Sequence, residues 1–243
     1  MLSKRNLSNV IKWPLGLLAV IWLMFIVDYY LFGGLLAAYY GMHPRELAGV
    51  PGIVLSPFFH GGWGHLVSNS VPFISLTGLL VFFYPRLWPR VLASLWLGTG
   101  IMVWVLGRSV IHIGASGVVY ALASFLAFSG FFRRDFRAIA VSLLVLFYYG
   151  GMIVGILPGQ EGISWESHLL GLVMGIVGAY YYRSELEDHE IASRRKKAAR
   201  KKDSRKKEPF LDPDAFDKTK KERENEAFWT RLKELSERER LER

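Results

Sequence analysis

Ser116, within Gly114-Ala115-Ser116-Gly117, and His168 each stand at the start of an apolar stretch in a chain rich in such stretches. A hydroxyl and an imidazole are costly in hydrocarbon unless paired. Together they make a nucleophile and its base: serine is weak at its own pKa, and a neutral imidazole can take its proton and later return it to a leaving amine. No acidic third member is evident. Asp28 belongs to the first helix, and Glu166, two residues before His168, lies about 200° around an ideal helix, so a Ser-His dyad is expected. Tyr120, one turn after Ser116 on the same face, is a candidate for holding the imidazole by stacking; an aromatic that only fills the core would look the same. Acyl transfer also needs donors aimed at the developing oxyanion. His65 and Asn69 share one helical face and both can donate, and the Ser116 backbone N–H could add a third donor. Gly114 and Gly117 would let the chain bend tightly into its helix and let a substrate carbonyl approach. Taken singly, Asn69 reads more readily as a hydrogen-bonding bridge between helices than as an oxyanion donor, and it is the combination with His65 and Ser116 that shifts the balance.

These groups need elements to position them. Of the 243 residues 51% are hydrophobic, yet residues 1–182 hold only 10 Lys/Arg and 5 Asp/Glu against 20 and 16 in 183–243. The pattern predicts an all-α, multi-pass membrane domain over 1–182 and a charged tail over 183–243. A spanning helix needs about 20 apolar residues, fewer where protein shelters its end. Six are expected, at Trp13–Phe32, Gly64–Tyr84, Trp88–Leu106, Ala115–Phe132, Ala138–Gly155 and Glu166–Tyr182. The fourth and sixth are short or begin with polar residues, which suits helices ringed by neighbours. Gly117, Ala121 and Ser124 line one side of the fourth, and Gly171, Gly175 and Gly178 one side of the sixth, so backbones can approach closely; ordinary helix packing accounts for both stripes. The first apolar run is long and has no small-residue cleavage site before it, so it reads as a retained helix.

Basic residues set the orientation. Lys4, Arg5, Lys12, Arg86, Arg90, Arg133, Arg134, Arg137 and the tail fall on one side, expected to be cytoplasmic, while the alternate connections hold only Arg45 and Arg108. Both termini are then cytoplasmic, and His65, Asn69, Ser116 and His168 lie at similar depth below the outer face. The expected location is a bacterial or archaeal plasma membrane. With no cysteine, disulfides, a thiol nucleophile and thiolate-bound zinc are excluded.

His60 with His65-x-x-x-Asn69 before an apolar run, Gly114-Ala115-Ser116-Gly117 with Tyr120 four residues after the serine, and His168-x-x-Gly171 in the last helix together resemble the rhomboid intramembrane serine proteases over about residues 55–180. The resemblance implies a six-helix bundle with Ser116 as nucleophile and His168 as general base. His65, Asn69 and the Ser116 amide would form the oxyanion site, with His60 in an accessory position. It implies, too, a water-accessible cavity open to the outside, a first external loop partly immersed in the outer leaflet, and a mobile fifth helix whose following loop acts as a cap. Pro158, Gly159 and Gly162 in that loop suit mobility, and a plain turn would use them too. Two departures stand out. The first external loop, Gly33 to Phe59, lacks the Trp-Arg pair of many members, so its anchoring is not evident, and Ser167 replaces a smaller residue before the histidine, where it is expected to crowd the helix contact slightly.

The activity expected is that of a serine endopeptidase cleaving single-pass membrane proteins within their transmembrane segments, with no cofactor. The alternative is a noncatalytic relative that binds and escorts membrane clients. A small transporter would want charged or discontinuous helices along a midplane path, and none is seen. Gly114 to Val118 lacks the final glycine of a nucleophile elbow, which excludes an α/β-hydrolase. No carboxylate or close histidine pair accompanies His60, His65 and His168 as a metal site would require. His112, also four residues from Ser116, is a weaker base candidate because Gly114 suggests an intervening loop. In the tail, Arg194–Lys207 holds ten basic residues in fourteen, which favours anionic lipid headgroups over nucleic acid. Beyond Pro209–Pro213, residues 217–243 place Phe228, Leu232 and Leu235 on one face of a possible amphipathic helix; a solvated tail fits equally.

Overall fold

A computed structural model describes residues 4–159, 164–188, 190–193, 195–196, 198–199 and 217–241. Two compact units divide the chain, Met1–Glu190 and Ile191–Arg243. In the first, α1 (Lys4–Val27) continues through a π-helical turn (Asp28–Phe32) and is followed by the short helices α2 (Leu35–Tyr40) and α3 (Gly52–Leu55). Then come α4 (Trp63–Phe83), α5 (Trp88–Leu106), α6 (Ser116–Arg133), α7 (Phe136–Tyr149) with a 3-10 continuation (Gly150–Ile156), and α8 (Trp165–Tyr181). Among the described residues there is no strand; the one isolated bridge pairs Met42 with His112.

Five of these helical runs are long and apolar enough to cross a membrane: Ser8–Phe32, Trp63–Phe83, Trp88–Leu106, Ser116–Arg133 and Phe136–Ile156. The chain is thus a multi-pass integral membrane protein. The sequence-based bounds agree with the structure to within two residues for α4, α5, α6 and α8. They differ at α1, which begins nine residues before Trp13, and at the fifth run, where the α-helix gives way to a 3-10 helix at Gly150. Burial differs sharply between these runs: 67% of the α6 span lies inside the protein against 17% for the α1 and α7 runs. The outer runs present Leu, Val, Ile and Phe to lipid, whereas α6 carries Gly117, Ala121, Ser124 and Ser129 and is wrapped by its neighbours.

The α6–α8 contact fixes the site. A Cβ on Gly171 would run into the Gly117 carbonyl, and one on Gly175 into the Ser124 hydroxyl and the Ala121 carbonyl. The Ser124 hydroxyl donates across the gap to the Leu172 carbonyl at 2.9 Å. Below them Leu76, Leu80, Leu95, Leu122 and Phe125 form a fully buried core, so the backbones meet with interlocking contacts rather than a void.

Asp28, the acid inside the first apolar run, is taken up by the backbone of the next helix. Its carboxylate accepts the Leu36 and Ala37 amides at 2.9 and 3.1 Å and so caps α2. The loop that follows, which lacks a Trp-Arg pair, is tied to α5 by other residues. The Trp104 and Trp96 indoles donate to the Glu46 and Val54 carbonyls, both at 3.0 Å. Arg45, in the left-handed region at φ 62°, sends its guanidinium to the Gly107 carbonyl and the Ser109 hydroxyl at 2.5 and 2.6 Å, satisfying the end of α5. Past α8, the chain up to Glu190 packs beneath the bundle. Arg133, its side chain 1% exposed, pairs with Glu190 at 2.8 Å and donates to the Tyr182 and Glu185 carbonyls.

In the second unit, helix α9 (Lys220–Leu241) is described. Phe228, Trp229, Leu232 and Leu235 are exposed on it. Most of the basic run 194–207 and the Pro209–Pro213 break lie outside the described residues.

Candidate active site

Ser116 is the first residue of α6, so its N–H has no intrahelical partner and sits at the positive end of the helix. The residues before it form a loop, as Gly114 suggests: that glycine has φ +108°, and its amide donates to the Ser56 carbonyl at 3.0 Å. A Cβ there would stand 2.6 Å from both Cε1 and Nε2 of His65. Glycine at 114 is therefore required twice, by its backbone angle and by the imidazole lying flush against it. His65 in turn packs edge-on to His60, ring centroids 4.9 Å apart. His60 accepts the Ala115 amide on Nε2 at 3.4 Å, which braces the turn that presents Ser116. Burial, reinforced by neighbouring His65, lowers the His60 pKa to about 3, so this ring is a neutral acceptor.

One turn along α4, Asn69 is buried and donates through Nδ2 to the His65 carbonyl at 3.0 Å. That bond uses one of its two amide hydrogens and leaves the other. From α8, His168 is 8% exposed. Its ring stacks on Tyr120 with centroids 4.2 Å apart and planes 9° from parallel. Ser116, His65, Asn69, Tyr120 and His168 all line one cavity of about 1100 Å³, together with loop residues that include Arg108, Ile111, Pro158 and Gly159. Gly114 and His60 are not on its wall but hold the residues that are. Gly162 lies outside the described residues. Among the described residues Ser116 makes no hydrogen bond, so its hydroxyl is a free rotor facing that cavity.

One reading of the neighbours agrees with the structure and one changes. His112 is no base for Ser116, because both ring nitrogens are engaged. A carbonyl can only accept, so Nε2 donates to Arg108 at 3.0 Å and Nδ1 is left to accept from the Ser164 hydroxyl at 2.6 Å. Burial holds this ring too below the ordinary histidine value, opposed by the Arg108 carbonyl and by Glu166. Ser167 does not crowd the α6–α8 contact, since its hydroxyl turns to Ser164 at 2.6 Å and Ser164 caps α8. Gly117 supplies the room: a Cβ there would lie 3.2 Å from the Ser167 carbonyl.

A further set was not apparent from the sequence. Glu166 is buried and ion-paired with Arg108, which also reaches it through Nη2 at 3.3 Å. With His112, Ser164 and Ser167 this pair ties the start of α8 to the loop leading into α6. The basic residue of that loop and the acid beside His168 were the only sequence signals for it. No three His, Cys, Asp or Glu side chains among the described residues gather into a metal-binding group.

Comparison with known proteins agrees with this architecture. An uncharacterized protein of Mycobacterium tuberculosis (strain H37Rv) is 35% identical over 149 residues, covering 58% of this chain and 62% of its own length. An uncharacterized protein of Mycobacterium leprae is 36% identical over 139 residues, covering 53% and 55%. The chain thus spans about three-fifths of the length of these relatives. The Rhomboid domain model matches residues 48–185, a stretch that takes in the cavity, both glycine-lined helices and every side chain described around Ser116. On that match the chain belongs to the rhomboid family.

Proposed function

We propose that this protein is an intramembrane serine endopeptidase that cleaves single-pass membrane proteins near the outer part of their transmembrane segments. The observation that carries the reading is the shared cavity, where the serine hydroxyl, the imidazole and two further polar side chains converge from three different helices. In this reading the substrate segment unwinds, and its carbonyl enters between Ser116 and the donors on α4. Ser116 Oγ rotates toward His168, gives up its proton and attacks; the oxyanion is met by the Ser116 amide, His65 and the remaining Asn69 hydrogen. His168 then hands the proton to the leaving amine, and water admitted to the cavity hydrolyses the acyl-enzyme. Six spans are assigned, with α8 as the sheltered sixth, both termini on the cytoplasmic side and the basic run 194–207 set against anionic headgroups.

The test is cleavage of a model transmembrane substrate by purified protein in detergent or proteoliposomes. Ser116→Ala and His168→Ala should each abolish turnover, and a fluorophosphonate probe should label wild type but not Ser116→Ala. Equal cleavage by wild type and either variant would refute the mechanism. The noncatalytic reading has one observation in its favour, the unbonded Ser116 hydroxyl. It requires that wild type bind the substrate without cutting it and remain unlabelled.

A further inference from the structure

His168 has no carboxylate to orient it, yet its ring is not left to choose a tautomer. Nδ1 lies 2.8 Å from the Gly155 carbonyl. The carbonyl can only accept, so the proton sits on Nδ1, and Nε2 is the bare nitrogen. Nε2 makes no hydrogen bond among the described residues, and the ring lines the cavity. The stacked Tyr120 ring is held by the same stretch of chain, its hydroxyl donating to the Met152 carbonyl at 2.6 Å. Both carbonyls belong to the 3-10 continuation of α7, none of whose residues is buried.

We propose that Gly155 is the positioning residue of the base: its backbone carbonyl fixes the Nδ1–H tautomer of His168 and leaves Nε2 free to take the Ser116 proton. The inference rests on the proteolytic reading and adds to it the group that does a third member's work. Glycine is needed at this place. A Cβ on residue 155 would run into the Tyr120 hydroxyl and stand 3.3 Å from His168 Nδ1, so a larger residue must push the carbonyl, the stacked ring or both away. The arrangement also couples the base to the segment. Tyr120 and His168 are fastened to carbonyls three residues apart, and a displacement of the 3-10 turn releases the ring's face and edge together.

The experiment uses the full chain in detergent, labelled with ¹⁵N-histidine, and assigns the His168 resonances by their loss in His168→Ala. Wild type should show a neutral His168 protonated on Nδ1. Gly155→Ala, matched to wild type in elution and helical content, should populate the Nε2–H form and lose at least about tenfold in kcat with KM held, a part of the ~10²–10⁴-fold that general base catalysis supplies. Gly151→Ala, in the same turn but with nothing within 4 Å of the added methyl, should match wild type in both readouts. A wild-type His168 protonated on Nε2 overturns the inference even if Gly155→Ala does not fold, as does a Gly155→Ala that keeps tautomer and rate. The two readings fail separately. Cleavage that survives Ser116→Ala removes the proteolytic reading and this one with it, whereas Ser116-dependent cleavage untouched in Gly155→Ala removes only this one.

Discussion

At the residue scale, the turn into α6 is set by a glycine, the His65 ring packed against it and the neutral imidazole of His60. Gly114→Ala places a methyl 2.6 Å from the His65 ring at a backbone angle of +108°, a combination that costs roughly 1–3 kcal/mol for the backbone alone. Thermal unfolding should show that loss, and fluorophosphonate labelling of Ser116 should fall with it; unchanged labelling would mean the turn does not set the nucleophile. The buried imidazoles of His60 and His112 also give stability a pH dependence of definite sign. The His60 pKa is about 3 in the folded protein against an ordinary value near 6.5. As pH falls from about 6.5 toward 3 the unfolded chain takes up a proton that the folded chain refuses, and stability drops by at most ~1.4 kcal/mol per pH unit for this one group. His112 acts in the same direction. Melting temperatures between pH 7.5 and 5 should therefore fall toward acid, less steeply in His60→Gln, which keeps an acceptor for the Ala115 amide. Identical slopes would show that His60 is not the group responsible.

Among elements, the relation that matters is how α8 meets α6 and the loop before it. Two devices act there, the glycine contacts along the helices and the polar knot of Arg108, Glu166, His112, Ser164 and Ser167 at the start of α8 and in the loop before α6. In the ion pair Glu166 is buried while the Arg108 side chain is 56% exposed. The partners are therefore unequal. Removing Arg108 strands a buried carboxylate, whereas Glu166→Gln keeps a polar side chain that can still accept. Arg108→Ala should thus cost more than Glu166→Gln, roughly 1–3 kcal/mol, and the double variant should recover part of that loss. Unfolding measured across the four proteins decides it; strict additivity would mean the pair does not hold α8 in place.

For the first compact unit as a whole, the end opposite the cavity is closed by a buried charge. The Arg133 side chain, on α6, is 1% exposed and is met by Glu190, also buried, and by two carbonyls past α8. Its guanidinium also lies over the Tyr84 ring, 5.0 Å from the centroid. Glu190→Ala leaves a cation in a low-dielectric site and should cost about 3–5 kcal/mol, read as a lowered melting temperature of the full chain. Because the cavity lies at the far ends of the same helices, the Ser116 labelling rate of the folded fraction should stay as in wild type. A coupled loss of labelling would show that the two ends communicate through α6.

The spans are legible in the sequence because a helix in lipid announces itself locally, through the length of an apolar run and the polar residues that end it. The bounds of α5, Trp88–Leu106, coincide with its apolar run. Ser116, His168, His65 and Asn69 are legible as a set because each chemistry needs a particular side chain, and side chains are what a sequence states. What stayed hidden belongs to the backbone or to distant partners. The Gly155 carbonyl beneath His168 and the Met152 carbonyl on Tyr120 have no residue type to betray them. The start of the 3-10 turn at Gly150 carries no break in hydropathy. Asp28 read as a lone acid in a helix until its cap on α2 was visible, and the sequence set His112 aside as a base without showing the two partners that engage its ring. The loop lacking a Trp-Arg pair is held by Arg45, Trp96 and Trp104 across 42 to 64 residues of chain. Sequence alone determined which atoms are available for chemistry and in which helices. Only the tertiary structure decided which carbonyl faces which nitrogen, since that depends on where helices cross, and a hydrogen bond is won or lost within a few tenths of an ångström.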